Sequence, residues 1–303
     1  MELLYLLEKV RTPGLNECML AITLLGEETA FLVLALIVFW CVDKKRGYFL
    51  MAVGFGGTIL NQFLKLFFRV PRPWVLDANF TILEQAREAA AGYSFPSGHT
   101  QMAVGTFGAL AVTTARKPVK ILCWVMAALV AFSRMYIGVH TPYDVGASVL
   151  IALVLVYGLR KPVMNGELKE MKTVIAGLLV MALGLLAYVE WWNFPEDMDW
   201  HNLGSGVKNA YTMLGCLSAV AVVYIAERNY IKFETEALWW VQILKVVLGL
   251  GLVLAVKEGL RSPLEGLFGV YPGRAVRYFL IVLTAGLLWP MTFRWFSKAG
   301  VKK

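Results

Sequence analysis

An all-α, polytopic membrane protein is the fold class this sequence predicts, and three observations carry that expectation. The chain of 303 residues is 58% hydrophobic and 17% charged, whereas soluble domains lie nearer half apolar and a quarter charged. Nine apolar stretches approach the length needed to cross a bilayer, roughly 17–25 residues. No hydrophilic stretch between them is long enough to make a soluble domain.

Taken in order, residues 2–24 carry leucines at helical spacing around Glu8, Lys9 and Arg11, with a Thr12-Pro13-Gly14 break. That pattern suits a helix lying in the membrane interface, so 1–25 is expected as an interfacial N-terminal helix. Its charges do not fit a cleavable signal peptide. Spans are expected near 26–42, 48–68, 99–115, 119–137, 143–160, 172–192, 208–226, 237–257 and 275–296. The first is short and opens on Glu27 and Glu28. Residues 26–160 should form a core helix bundle, and 161–303 about four additional C-terminal transmembrane helices. Tryptophans such as Trp40, Trp74, Trp191, Trp192, Trp239, Trp240 and Trp295 gather at predicted ends, as an aromatic belt requires. Cys18, Cys41, Cys123 and Cys216 are scattered without paired spacing and read as small hydrophobes.

Alternating spans put 16 of the 29 lysines and arginines on one side. The richer side is expected in the cytoplasm. The net charge of +8 is therefore read as loop charge, and no nucleic acid partner is expected. Lys257, Arg261, Arg274 and Arg277 fall on the poorer side and run against this orientation.

Three polar strings interrupt the apolar pattern, all on the poorer side. Lys65 is followed, six residues on, by Arg72-Pro73. Pro96-Ser97-Gly98-His99 opens the third span. Ser133-Arg134, five residues, His140, three residues and Asp144 straddle the fourth and fifth. Ionisable groups at membrane depth are expensive and face a cavity or a partner, so they mark function. Lys65, Arg72 and Arg134 supply fixed positive charge, and arginine forks match phosphate oxygens. Ser97 and Gly98 start a helix, where free N–H groups favour an anion and glycine lets it approach the backbone. Together these residues describe a cradle for phosphoryl transfer.

His140 and Asp144 are four apart and would share a helix face, the carboxylate holding the imidazole in one tautomer. His140 is expected as the nucleophile, forming a phosphohistidine, and His99 as the general acid and then base. No DxD, HxxxH or carboxylate cluster offers a metal site, so neither metal nor cofactor is expected. His201, among Glu196, Asp197 and Asp199, reads as a solvated loop residue. Lys245, near the middle of its span, is expected to find a partner within the bundle.

The three strings resemble the signature of the type 2 phosphatidic acid phosphatase superfamily: Lys-x6-Arg-Pro, Pro-Ser-Gly-His and Ser-Arg-x5-His-x3-Asp, complete at 65–73, 96–99 and 133–144. The resemblance covers roughly residues 26–160. It implies metal-independent phosphoester hydrolysis, a six-helix core, an extracytoplasmic-facing site and the roles given above. The expected activity is removal of phosphate from a membrane lipid at the outer face of the plasma membrane. Candidate substrates are polyprenyl diphosphate, phosphatidylglycerol phosphate and phosphatidate. A phosphatase of a small soluble phosphomonoester, resembling glucose-6-phosphatase, a lipid phosphotransferase and a non-enzymatic lipid-phosphate carrier are the competing readings. The loop Asp77–Tyr93, with Glu84, Arg87 and Glu88, is expected to roof the site.

Overall fold

The computed structural model describes residues 1–87, 90, 92–196 and 198–298, and among these the chain is helical with no strand. Helix α1 (Glu2–Lys9) and helix α2 (Pro13–Thr23) are separate, with Pro13 at the first turn of α2, where its missing N–H is not needed. A 3₁₀ turn at Leu24–Gly26 leads into α3 (Glu28–Cys41), and the chain bends by 53° there. Helix α4 (Lys44–Phe68) ends where Arg69 adopts a left-handed conformation, φ 50°. The short α5 (Pro73–Leu76) follows, then α6 (Gly98–Thr113), α7 (Lys117–Tyr136) and α8 (Pro142–Arg160). The C-terminal helices are α9 (Leu168–Trp191), α10 (Trp200–Ala226), α11 (Trp239–Gly259), α12 (Arg261–Phe268) and α13 (Val270–Leu283). Two short helices, α14 (Trp289–Met291) and α15 (Phe293–Lys298), close the described chain.

Among the described residues, seven helices are long and apolar enough to cross a membrane, and the bent pair α2–α3 raises the number to eight if it forms one span. The protein is thus a polytopic helical membrane protein. Seven of the nine expected spans correspond to these helices. The other two are shorter: α3 has 14 residues and α6 has 16. At about 1.5 Å per residue they fall short of a ~30 Å hydrocarbon core. The start of α3 is trimmed by the break at Gly26, whereas α6 begins at Gly98 behind its Ser97 cap and ends at Thr113, two residues short of the expected end.

The chain divides into two compact units, one of residues Met1–Leu32, Val53–Lys161 and Phe194–Gly206, the other of Val33–Ala52, Pro162–Asn193 and Val207–Lys303. In the first, α6 packs against α7 and α8 around Val104, Ala127 and Ala152. Small residues let α4 and α6 come close. A β-carbon on Gly57 would lie 2.8 Å from Gln101 Nε2, and one on Gly105 would lie 3.1 Å from Val53 Cγ1. One residue number falls as the other rises, so the two helices run antiparallel.

In the second unit, Trp40 Nε1 donates to the Ala285 carbonyl at 2.8 Å, and Lys44 pairs with Glu227 at 2.6 Å. Lys245 is 1% exposed and caged by neutral groups. Its Nζ donates to the Thr235 carbonyl (3.2 Å) and to Gln242 Oε1 (3.4 Å), and sits 4.5 Å from the centre of the Phe293 ring. The expected partners within the bundle are these.

Phe31 is 2% exposed, and a β-carbon on Gly54 would lie 2.2 Å from its ring. The ring has no room to retreat. Gly54→Ala is expected to destabilise the protein by about 1–3 kcal/mol, the usual cost of overpacking. Thermal unfolding in detergent measures this, and an unchanged midpoint would contradict the packing described.

Candidate active site

Each polar string sits where a helix begins or ends, and local chemistry puts it there. Lys65 occupies the last turn of α4, and Arg72 precedes the proline that starts α5. Ser97 caps α6, its Oγ accepting from the Thr100 amide at 3.4 Å and the Thr100 hydroxyl at 2.9 Å. Arg134 lies in the last turn of α7. Thr141 and Asp144 form a reciprocal capping box at the start of α8, with Pro142 at the first helical position.

His140 therefore lies off the helix, one residue before the Thr141 cap, which corrects the expectation that it shares a helical face with Asp144. Cap geometry brings the two together instead. Asp144 Oδ2 accepts from the Thr141 amide (2.7 Å) and from Ser94 Oγ (2.6 Å), and lies 3.6 Å from His140 Nδ1. Ser94 Oγ is itself 3.5 Å from Nδ1.

Backbone carbonyls hold the cations. Lys65 Nζ donates to the Tyr93 carbonyl. Arg72 donates through Nε to the Gly92 carbonyl at 2.9 Å and through Nη1 to the Val139 carbonyl at 2.9 Å, with Nη1 also 3.0 Å from His140 Nε2. Arg134 Nη1 donates to Thr23 Oγ1 at 2.6 Å, while its Nε has no partner among the described residues. Lys65, Arg72, Arg134, His140 and Asp144 are all buried. Burial first, then the charges of Arg72, Arg134 and Lys65 and the proximity of His99, push the His140 imidazole well below its ordinary pKa. The imidazole is thus neutral. With Nδ1 facing Asp144 and Ser94, the Nε2 lone pair faces Arg72.

The predicted residues gather in one cluster. The Ser97 amide donates to the Asp144 carbonyl at 3.3 Å, tying the second string to the third. Asn61 Nδ2 reaches the Pro96 carbonyl at 3.4 Å, and its Oδ1 would lie 3.7 Å from a β-carbon on Gly98. His201 is exposed at the start of α10, its amide on Asp199 Oδ1 at 2.9 Å.

Ser94, Thr23, Thr141 and Asn61 were missed from sequence. Thr141-x-x-Asp144 is a legible capping signature and Ser94 adjoins a string, but nothing near Thr23 marks it. In the roof loop, Glu84 and Arg87 form an exposed ion pair at 2.7 Å, and Trp74 lies between Arg72 and Arg87, 5.9 and 5.4 Å from their guanidinium carbons. Glu88 lies outside the described residues.

Helix α1 laces this loop down. Tyr5 hydroxyl donates to Asp77 Oδ2 at 2.8 Å, Glu8 Oε1 accepts from Thr81, and Arg11 donates to the carbonyls of Thr81 (2.8 Å) and Tyr136 (3.1 Å). Leu4, Phe80 and Ile82 close an apolar cluster beneath.

The PAP2 superfamily model matches residues 45–165, which contain all three strings, and the model described as PAP2 superfamily phosphatase, transmembrane extension, matches residues 211–301. The chain is 30% identical over 135 residues to undecaprenyl-diphosphatase BcrC of Bacillus subtilis, covering 42% of this chain and 63% of that protein. It is 32% identical over 161 residues to phosphatidylglycerophosphatase B of the same organism, 49% of this chain and 75% of that protein. To sphingosine-1-phosphate phosphatase 1 of Mus musculus it is 27% identical over 257 residues, 78% of this chain and 57% of that protein. No solved structure matches the chain.

The helical membrane fold and the clustered strings define an integral-membrane phosphoric ester hydrolase. The chain belongs to the PAP2 superfamily, and its C-terminal helices match the family's transmembrane extension.

Gly138, two residues before His140, has φ +88°, and a β-carbon there would lie 2.8 Å from Arg11 Nη2 and 3.0 Å from the Phe80 ring. Gly138→Ala is expected to cost at least about 1 kcal/mol through backbone strain alone. It should also push Arg11 and Phe80 away from this turn. A lowered unfolding midpoint together with faster proteolysis within the first 25 residues checks both effects.

Proposed function

We propose that this protein is a lipid phosphatase that cleaves a phosphate or diphosphate from an apolar alcohol through a phosphohistidine, at the extracytoplasmic face of the cell membrane. The observation that carries the reading is the burial of Lys65, Arg72 and Arg134 around a neutral His140 held by Asp144 and Ser94.

In this reading the substrate phosphate takes the place of His140 Nε2 as an acceptor for Arg72, and shares the three cations with the Ser97–Gly98 helix start. The freed Nε2 lone pair attacks phosphorus. The P–O bond to the leaving group breaks as His99, which takes up the acidic proton of the incoming phosphate ester, gives that proton to the departing oxygen. The N–P bond makes His140 cationic, and Asp144 across Nδ1 stabilises it. His99, now neutral, takes a proton from water as the water oxygen attacks phosphorus. The N–P bond breaks, and inorganic phosphate leaves carrying the proton from His99, so both histidines return to their starting states. Hydrogen-bond donors already in place lower the barrier without reorganisation.

A lipid is favoured over a soluble phosphomonoester by the surface beside the site. Phe67 and Phe68, the last residues of α4, are 56% and 52% exposed. Phe68 stands edge-on to Phe95 at 5.2 Å, directly before Pro96, so aromatic surface runs from the acyl region to the phosphate cradle. The three relatives named above bear the names of enzymes whose substrates join phosphate to a long apolar chain. Polyprenyl diphosphate, phosphatidylglycerol phosphate and phosphatidate all have this form. The excess of basic residues in the opposite loops supports the extracytoplasmic orientation.

Phosphate release from a panel of these lipids and of sugar phosphates tests the reading. Release is expected to persist in EDTA and to fall by more than about 10³-fold in His140→Ala. Dependence on added divalent metal would refute the mechanism. Replacing Phe68 and Phe95 by alanine is expected to raise KM for the lipid several-fold and leave a short-chain phosphate ester unaffected, which kinetics on the two substrates in parallel resolve.

A further inference from the structure

Arg134 is 1% exposed, and a buried guanidinium needs its N–H groups satisfied. Its side-chain partner is Thr23 Oγ1, at 2.6 Å and 111 residues away in sequence. Thr23 is itself buried, at the last position of α2. The residues that follow it reach the site as well. A β-carbon on Gly26 would lie 2.8 Å from the His99 carbonyl oxygen and 3.1 Å from His99 Cβ, so the 3₁₀ turn Leu24–Gly26 is pressed against the backbone that carries His99. Ahead of it, Arg11 grips the carbonyl of Tyr136 and abuts Gly138. This segment precedes residue 45, where the family model begins to match.

The choice of partner is informative. A carboxylate in the place of Thr23 would take up the guanidinium's charge and much of its donor capacity. A hydroxyl fixes one N–H without an ion pair, Glu27 offsets the charge only in part and from beyond ion-pair distance, and Nε stays without a partner among the described residues. The planar fork is then held at a set angle, which matters because arginine binds phosphate through two parallel bonds.

We propose that Thr23 is a positioning residue for Arg134, orienting its guanidinium toward the substrate phosphate, and that the Leu24–Gly26 turn is the wall of the site behind His99. The inference rests on the reading of Arg134 as a phosphate ligand.

The test uses the purified full-length protein and orthovanadate, which mimics the five-coordinate phosphorus. Binding is read as thermal stabilisation, and phosphate release is measured alongside. Thr23→Val, which keeps the shape and removes the acceptor, is expected to weaken vanadate binding about tenfold, whereas Thr23→Ser stays within about twofold of wild type. In an Arg134→Ala background, Thr23→Val should add nothing further, because its effect passes through the guanidinium. Retained vanadate affinity in Thr23→Val overturns the proposal, as does an equal loss in Thr23→Ser or full additivity with Arg134→Ala. Should Thr23→Val not be recovered folded, Thr23→Ala against Thr23→Ser carries the same comparison. A wild-type protein indifferent to vanadate sinks the phosphate site and this inference with it. A wild type that responds, with variants that match it, overturns this inference alone.

Discussion

Three cationic side chains buried side by side are the constraint on which the first unit is built. Each costs several kcal/mol to bring out of water, and their mutual repulsion adds to that. The fold meets this with neutral dipoles: the carbonyls of Gly92, Tyr93 and Val139 and the hydroxyl of Thr23. The nearby carboxylate, Asp144, is committed to Ser94 and the Thr141 amide. With Asp144 and Glu27 the carboxylates that act on them, the three cations are only partly offset, and in the proposed function an arriving anion completes the electrostatics. A ligand that binds only the folded state then stabilises it by mass action.

That demand explains why irregular backbone crowds around the cluster. Helical carbonyls are already occupied, so only loops can turn carbonyls toward a lysine or arginine. The Gly92–Tyr93 stretch and the turn at Gly138–Val139 provide them. Such loops are usually the least stable parts of a protein. Here α1 and its hydrogen bonds to Asp77 and Thr81 anchor the longest of them, and apolar contacts from Leu4 and Leu7 reinforce the attachment.

Much of this was legible in the sequence, and the remainder was hidden for identifiable reasons. Hydropathy located seven long helices because an apolar run of that length has few other uses. It overestimated α3, whose start is set by a glycine break, and α6, whose end comes at Thr113 within apolar sequence. The three strings stood out because ionisable residues are rare in such a chain. Spacing placed His140 and Asp144 in contact but for the wrong reason: a helical period of four and a capping box produce the same separation. Thr23 was invisible, as a threonine in an apolar helix carries no periodic signal and its partner is 111 residues away.

The dual employment of Asp144 has a consequence for how this protein can change. One carboxylate oxygen starts helix α8 by accepting the Thr141 amide and also faces the imidazole of His140. In the proposed mechanism, folding and chemistry therefore draw on a single atom, and neither can be tuned at this position without disturbing the other. Adaptation to a new substrate or temperature must proceed through residues that surround the pair, such as the aromatic border and the roof loop, while the capping turn stays fixed.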